Sequence, residues 1–316
     1  MKWSYSAGRT FALCPRRWYF RYILASRRSK KLQSTEALRL RKLRSVSAWR
    51  GSLVDEVLSR YVTPRLNRGA TVDEAAALGY LKEVASHRSG PPSLAEWGDL
   101  SPSNVGPEID PYLFLEREYG GALTKSIIAQ ALEEARLALR NILSSDLIGN
   151  SSSAPSYFIA QRTLFFKLES FSIFSTPDLI VFSRGKNPLI VDWKVEAAQN
   201  RHHWLQLGVY ALALSRVNPH KDFPKDYQLG SIDPTQIRLL EYQLLHNEQH
   251  EYELAQPDVL EIEDHIYRSA LQLSAMLGGH QPEELRESDF PRTQWPHLCL
   301  GCEFRKICWE GQSKWS

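Results

Sequence analysis

The sequence predicts an α/β protein: a mixed central sheet flanked by helices, interrupted by a helical insertion. Three observations carry this. The segments 178–183 and 188–194 are short apolar runs of the kind that form strands buried in a sheet. Further strand-like runs stand at about 157–167, 171–175, 236–245 and 251–254. Helical patterns precede, separate and follow them, and at 316 residues the chain is long enough for one large domain with an ample core.

Taken in order, a helix is expected from about Ser6 to Leu24, then a polar basic segment to about Ser47, then a helix over Gly51–Tyr61. Thr71-Val-Asp-Glu74 reads as a capping box that opens a helix to about His87. The Pro-, Gly- and Ser-rich stretch 90–111 reads as a loop, and 123–143 as a long helix. The helices over 62–150 form the expected insertion. The strands follow, interrupted by a helix that starts near Trp204, and 257–277 closes the chain as a helix before a tail that contains three of the four cysteines.

The most informative chemistry lies in the pair of central strands. Joined by Arg184-Gly-Lys-Asn187 and turning about Gly185, they form a hairpin that sets Asp178 opposite Asp192. Lys194 points to the same face as Asp192, because strand side chains alternate with period two. Two carboxylates at the edge of an apolar core repel each other and lose hydration unless a cation joins them. A hard divalent metal with oxygen ligands, Mg²⁺ or Mn²⁺, meets that need. An adjacent lysine can orient or deprotonate an attacking water, or steady a phosphate oxygen. The plainer alternative is a solvated hairpin end with an Asp–Lys ion pair. Downstream, Gln206 and Tyr210 are four residues apart and share a helix face, where they can position a phosphodiester or stand as two ordinary polar residues.

Cys14, Cys299, Cys302 and Cys308 are all the cysteines of the chain. A C-x2-C with one more cysteine close by supplies three ligands from a compact loop, and Cys14 arrives from elsewhere. Four thiolates suit an iron–sulfur cubane or structural zinc; His297 reads as a loop residue, with replacement of a cysteine as ligand the alternative. With no leader-like N-terminus, so few cysteines predict a cytoplasmic protein without a disulfide framework. No apolar run approaches the roughly 18 residues of a membrane span.

Net charge is only +3, yet residues 1–50 hold fourteen Lys and Arg against one acid, Glu36, which leaves the remainder acidic. Such asymmetry predicts a footprint for a polyanion. Arg16, Arg17 and Arg21 alternate with Trp18, Tyr19, Phe20 and Tyr22. These aromatics either stack on bases or pack around the cysteine cluster.

The order Pro177-Asp178, Asp192-x-Lys194 and Gln206-x3-Tyr210 resembles the PD-(D/E)XK nuclease superfamily. With the cysteine pattern it resembles the RecB-type branch that carries an iron–sulfur staple, as in AddB-type subunits and the exonucleases of CRISPR adaptation. The resemblance implies a single domain over 1–316 with a restriction-endonuclease-like core and a cluster-binding tail at 295–312. It implies a metal-dependent deoxyribonuclease, with exonuclease action in DNA processing, repair or defence. The metal ligands would be Asp178, Asp192, the backbone carbonyl of Trp193 and Asp55; Lys194, Gln206 and Tyr210 would complete the catalytic set. A 4Fe-4S cluster on the four cysteines would be structural, with zinc as the alternative. The partner would be DNA, single-stranded or with single-stranded ends, alongside a helicase or integrase protein.

Three positions depart from that family pattern. Gly51-Ser-Leu-Val-Asp55 has aspartate where the branch has histidine, Gln161 stands where a glutamate is common, and Val195 stands where a threonine is common. Asp55 is a competent hard ligand. Two other classes stay open: a catalytically weakened DNA-binding subunit, and a zinc-stapled scaffold without a nucleic-acid role.

Overall fold

The computed structural model describes residues 1–26, 34–88, 113–121, 123–148, 156–195, 204–218, 220–224 and 232–309. The expected loop at 90–111 lies outside them, as do Arg27, Arg28, Lys30 and Lys31 of the basic segment. Among the described residues ten strands run in chain order: β1 (Lys2–Trp3), β2 (Leu43–Arg44), β3 (Leu113–Phe114), β4 (Ser156–Ala160), β5 (Leu164–Leu168), β6 (Phe171–Ser175), β7 (Leu179–Ser183), β8 (Leu189–Lys194), β9 (Arg238–Gln243) and β10 (Glu248–Tyr252). A five-stranded sheet has the order β10-β9-β8-β7-β4, a three-stranded sheet the order β1-β6-β5, and β2 pairs with β3. In the larger sheet β8 and β9 are parallel and the other pairs antiparallel, so the sheet is mixed as expected.

The hairpin register is the one the sequence predicts. Leu179 faces Val191, Ile180 faces Ile190 and Val181 faces Leu189. Gly185 supplies the left-handed backbone of the turn (φ +72°), closed by Lys186 N–H donating to the Ser183 carbonyl at 3.0 Å.

Each face of the larger sheet has its own core. One unites Ile180, Ile190 and Leu239 with Leu207 and Leu214 of helix Trp204–Arg216 and Ile262 and Ile266 of helix Gln256–Leu277. Gly208 lets these helices meet closely, since a Cβ there would lie 2.3 Å from Ile262. The other unites Val181, Val191 and Leu240 with Leu53 of helix Val46–Val57, Leu81 of helix Glu74–Arg88 and Leu139 of helix Lys125–Ser144. The helices at 74–88 and 125–144 thus belong to the layer on this face. Among the described residues no helix is long and apolar enough to cross a membrane.

Several local expectations are corrected. The single strand expected over 157–167 is two strands in different sheets, parted where Gln161 adopts a left-handed backbone (φ +51°). The N-terminal helix breaks at Cys14, whose extended backbone ends helix Tyr5–Leu13 and starts Pro15–Tyr19. Pro15 accounts for the break, because it disfavours helical backbone at the residue before it. Helix Glu74–Arg88 is capped by Asp73, whose carboxylate accepts from Ala76 N–H at 2.8 Å. Thr71 is therefore not its cap, and Glu74 pairs with Arg140 at 3.1 Å instead of closing a box. The base-stacking alternative fails for Trp18, Tyr19 and Phe20: all three are buried, with Trp18 and Tyr19 stacked on Phe290 and Phe20 against Phe304. Arg16 pairs with Glu287, while Arg17 and Arg21 grip the buried Glu303 at 2.7 and 2.6 Å.

Candidate active site

The ends of β7 and β8 bring the predicted polar residues together. Asp178 precedes β7 and continues its register opposite Asp192, near the end of β8. Asp178 Oδ2 accepts from Trp193 N–H at 3.1 Å and Oδ1 from Gln161 Nε2 at 2.9 Å. Gln161 N–H also donates to the Asp178 carbonyl at 3.0 Å. Gln161 therefore clamps Asp178 from two sides.

Asp192 is 1% exposed. Its Oδ1 accepts from Gln206 Nε2 at 3.2 Å, and the same amide donates to Tyr210 Oη at 2.6 Å. Both helix residues thus face the carboxylates, as their spacing predicts. The other oxygen, Oδ2, lies 2.6 Å from Lys194 Nζ as an ion pair and, among the described residues, accepts no hydrogen bond of ordinary geometry.

Asp55 approaches from helix Val46–Val57 on the opposite face. Side-chain alternation turns Trp193 away from its neighbours Asp192 and Lys194, and its indole Nε1 donates to Asp55 Oδ1 at 2.6 Å. One helical turn earlier, buried Arg50 donates from Nε to the Val195 carbonyl at 3.1 Å and pairs with Glu134. That contact pins the end of the strand bearing the Asp-Trp-Lys triplet.

The electrostatics match those of a cation site. Desolvation raises the Asp55 pKa to about 6, against the Trp193 hydrogen bond and Lys194, which lower it. Asp178 is pushed well above the usual carboxylate range by desolvation, then by the charges of Asp192 and Asp55. Burial and the same two aspartates of the hairpin, Asp192 and Asp178, raise the Tyr210 phenol. A divalent ion would offset all three effects, so these oxygen donors fit a hard metal. Among the described residues no three His, Cys, Asp or Glu groups form a ready metal site, and Lys194 occupies the free oxygen of Asp192.

A second concentration of chemistry lies where the termini meet. Cys14, Cys299, Cys302 and Cys308 are free thiols lining one cavity, together with Arg17, Arg292 and Arg305. Burial pushes Cys302 up to about 12 and also raises Cys299 and Cys308. Buried thiols resist ionisation unless a metal takes the proton's place, so four sulfurs around one cavity fit a metal centre in kind. His297 is exposed on the short helix Pro296–Leu300 and is absent from the cavity wall.

Sequence reasoning missed the Trp193 indole, Arg50, and the buried pair Glu241 and Gln243 on β9. The signal for the pair was present. Glu241-x-Gln243 repeats the polar spacing of Asp192-x-Lys194, and the parallel register sets Glu241 beside Asp192 and Gln243 beside Lys194.

The family model of the PD-(D/E)XK nuclease superfamily matches residues 2–309. No curated protein matches the chain. Among solved structures, one titled "Crystal structure of SSO0001" is similar at 14% identity, over 58% of this chain and 71% of that one, with a TM-score of 0.29.

Proposed function

Since the chain belongs to the PD-(D/E)XK nuclease superfamily, whose members are typically Mg²⁺- or Mn²⁺-dependent nucleases, we propose that it hydrolyses DNA phosphodiesters. We assign it to the RecB-type branch as an exonuclease acting on single-stranded DNA or single-stranded ends. The observation that carries this reading is the convergence of Asp178, Asp192, Lys194, Gln206 and Tyr210 at one end of the sheet.

In this reading Asp178, Asp192, the Trp193 carbonyl and Asp55 hold the divalent ion. Bound there, a divalent ion would offset charge on the scissile phosphate and make the attacking water more acidic. Lys194 orients that water and steadies a phosphate oxygen. Gln206 keeps the Asp192 carboxylate aimed while Tyr210 contacts the strand. Trp193 holds Asp55 in the place where the branch has histidine.

The four cysteines are read as ligands of a structural 4Fe-4S cluster, with zinc as the alternative. It ties the N-terminal helix to a tail at 295–312 within a single domain, in which 62–150 is the inserted region. No step of hydrolysis requires an electron, so the cluster acts through structure.

Aspartate in place of histidine at 55 favours a second reading, a catalytically weakened DNA-binding subunit serving a helicase or integrase. Single-turnover cleavage of end-labelled DNA with Mn²⁺ separates the two. Cleavage abolished by Asp192→Ala supports the nuclease, and DNA binding without cleavage supports the subunit.

A further inference from the structure

We propose that Gln243 is a positioning residue that receives the Lys194 ammonium when a metal takes Asp192. The proposal rests on the metal-site reading above. Lys194 Nζ lies 2.6 Å from Asp192 Oδ2, the carboxylate oxygen that no hydrogen bond claims among the described residues. A divalent cation bound by Asp192 and this ammonium repel each other across a shared buried oxygen, so metal entry requires the lysine to move. The moving ammonium then calls for an acceptor in place of Asp192.

The parallel register supplies one. Gln243 is the β9 partner of Lys194, and Leu244 N–H donates to the Lys194 carbonyl at 2.9 Å, which locks the two strands at this level. Partners across such a pair point to the same face, with their backbones roughly 5 Å apart. Gln243 is 2% exposed. Its Nε2 donates to Glu241 Oε1, which settles which end of the amide points where, and among the described residues its own Oε1 is buried without a donor. A buried carbonyl in that state carries a free-energy cost that an ammonium with three N–H donors relieves.

Glu241 provides the counter-charge. It is 2% exposed, is the register partner of Asp192, and accepts from Tyr252 Oη at 3.3 Å through Oε2. Two stations therefore lie side by side, each a buried carboxylate with a glutamine amide: Asp192 with Gln206, and Glu241 with Gln243. Lys194 occupies the first without metal and the second with it. It then remains beside the attacking water while both oxygens of Asp192 are released to the ion.

The test is a double-mutant cycle on the full chain, read as Mn²⁺ affinity by calorimetry without DNA. Gln243→Leu is expected to weaken Mn²⁺ binding about tenfold, the size of a direct side-chain coupling. In the Lys194→Met background, where nothing needs displacing, Gln243→Leu is expected to leave affinity unchanged. Equal weakening in both backgrounds would make Gln243 merely structural and overturn the proposal, as would no weakening in either. If Gln243→Leu does not fold, Gln243→Met, which keeps the length of the side chain, is held to the same outcomes. Wild-type protein that binds no Mn²⁺ would overturn the metal-site reading itself, whereas Mn²⁺ binding lost in Asp192→Ala keeps that reading and leaves the cycle to judge Gln243.

Discussion

Replacing Asp55 by asparagine separates what this residue costs the metal-free protein from what it contributes to the metal site. Asparagine keeps an acceptor for the Trp193 indole, now 2.6 Å from Asp55 Oδ1, and removes the charge. The folded-state pKa of Asp55 is raised from 3.8 to about 6, first by desolvation. The folded protein therefore binds this proton more tightly than the unfolded chain. The associated stability is fully present below about pH 4 and is lost as pH rises through about 6. A shift of about two pH units corresponds to roughly 3 kcal/mol. In EDTA, Asp55→Asn is thus expected to be about 3 kcal/mol more stable than wild type at pH 8, where Asp55 is ionised, and nearly equal to it at pH 4, where both side chains are neutral. Asp178 titrates in both proteins and steepens both profiles in the same direction. Urea unfolding at several pH values measures the difference. With Mn²⁺ at pH 8 the order is expected to reverse, because metal stabilises the protein that holds more ligands. Parallel pH profiles for the two proteins from pH 4 to 8 would refute the reasoning.

Lys194→Ala is expected to reduce cleavage at saturating Mn²⁺ by at least about 100-fold, as loss of a group acting in the transition state does, while its Mn²⁺ affinity rises. Arg50→Leu strands the Val195 carbonyl and Glu134; a loss of about 2–4 kcal/mol in urea unfolding is expected. Cys14→Ala is expected to remove visible absorption near roughly 400 nm from anaerobically purified protein and to lower its stability. A colourless, zinc-loaded wild type would replace iron by zinc and keep the staple, whereas metal-free protein indifferent to Cys14→Ala would end it.

Local physics made the hairpin legible. Two apolar runs and a glycine at the turn fix the opposition of Asp178 and Asp192, and helical spacing places Gln206 and Tyr210 on one face. What escaped depends on pairings that no local pattern encodes. Glu241 and Gln243 reach Asp192 and Lys194 through a parallel crossover of some fifty residues. The Trp193 bond to Asp55 spans 138 positions. Trp18, Tyr19 and Phe20 look alike as a base-stacking platform or as core until Phe290 and Phe304 arrive from the far end of the chain. The break at Gln161 is a backbone choice, rewarded by its grip on Asp178.

The central claim is that the Asp178–Asp192–Lys194 centre cleaves DNA with a divalent metal. The most direct measurement incubates anaerobically purified protein with end-labelled single- and double-stranded DNA in Mn²⁺, in Mg²⁺ and in EDTA, beside Asp192→Ala purified identically. Cleavage by wild type in metal alone, with none by the variant, is the predicted result; equal cleavage by both proteins, or none by either, would contradict it.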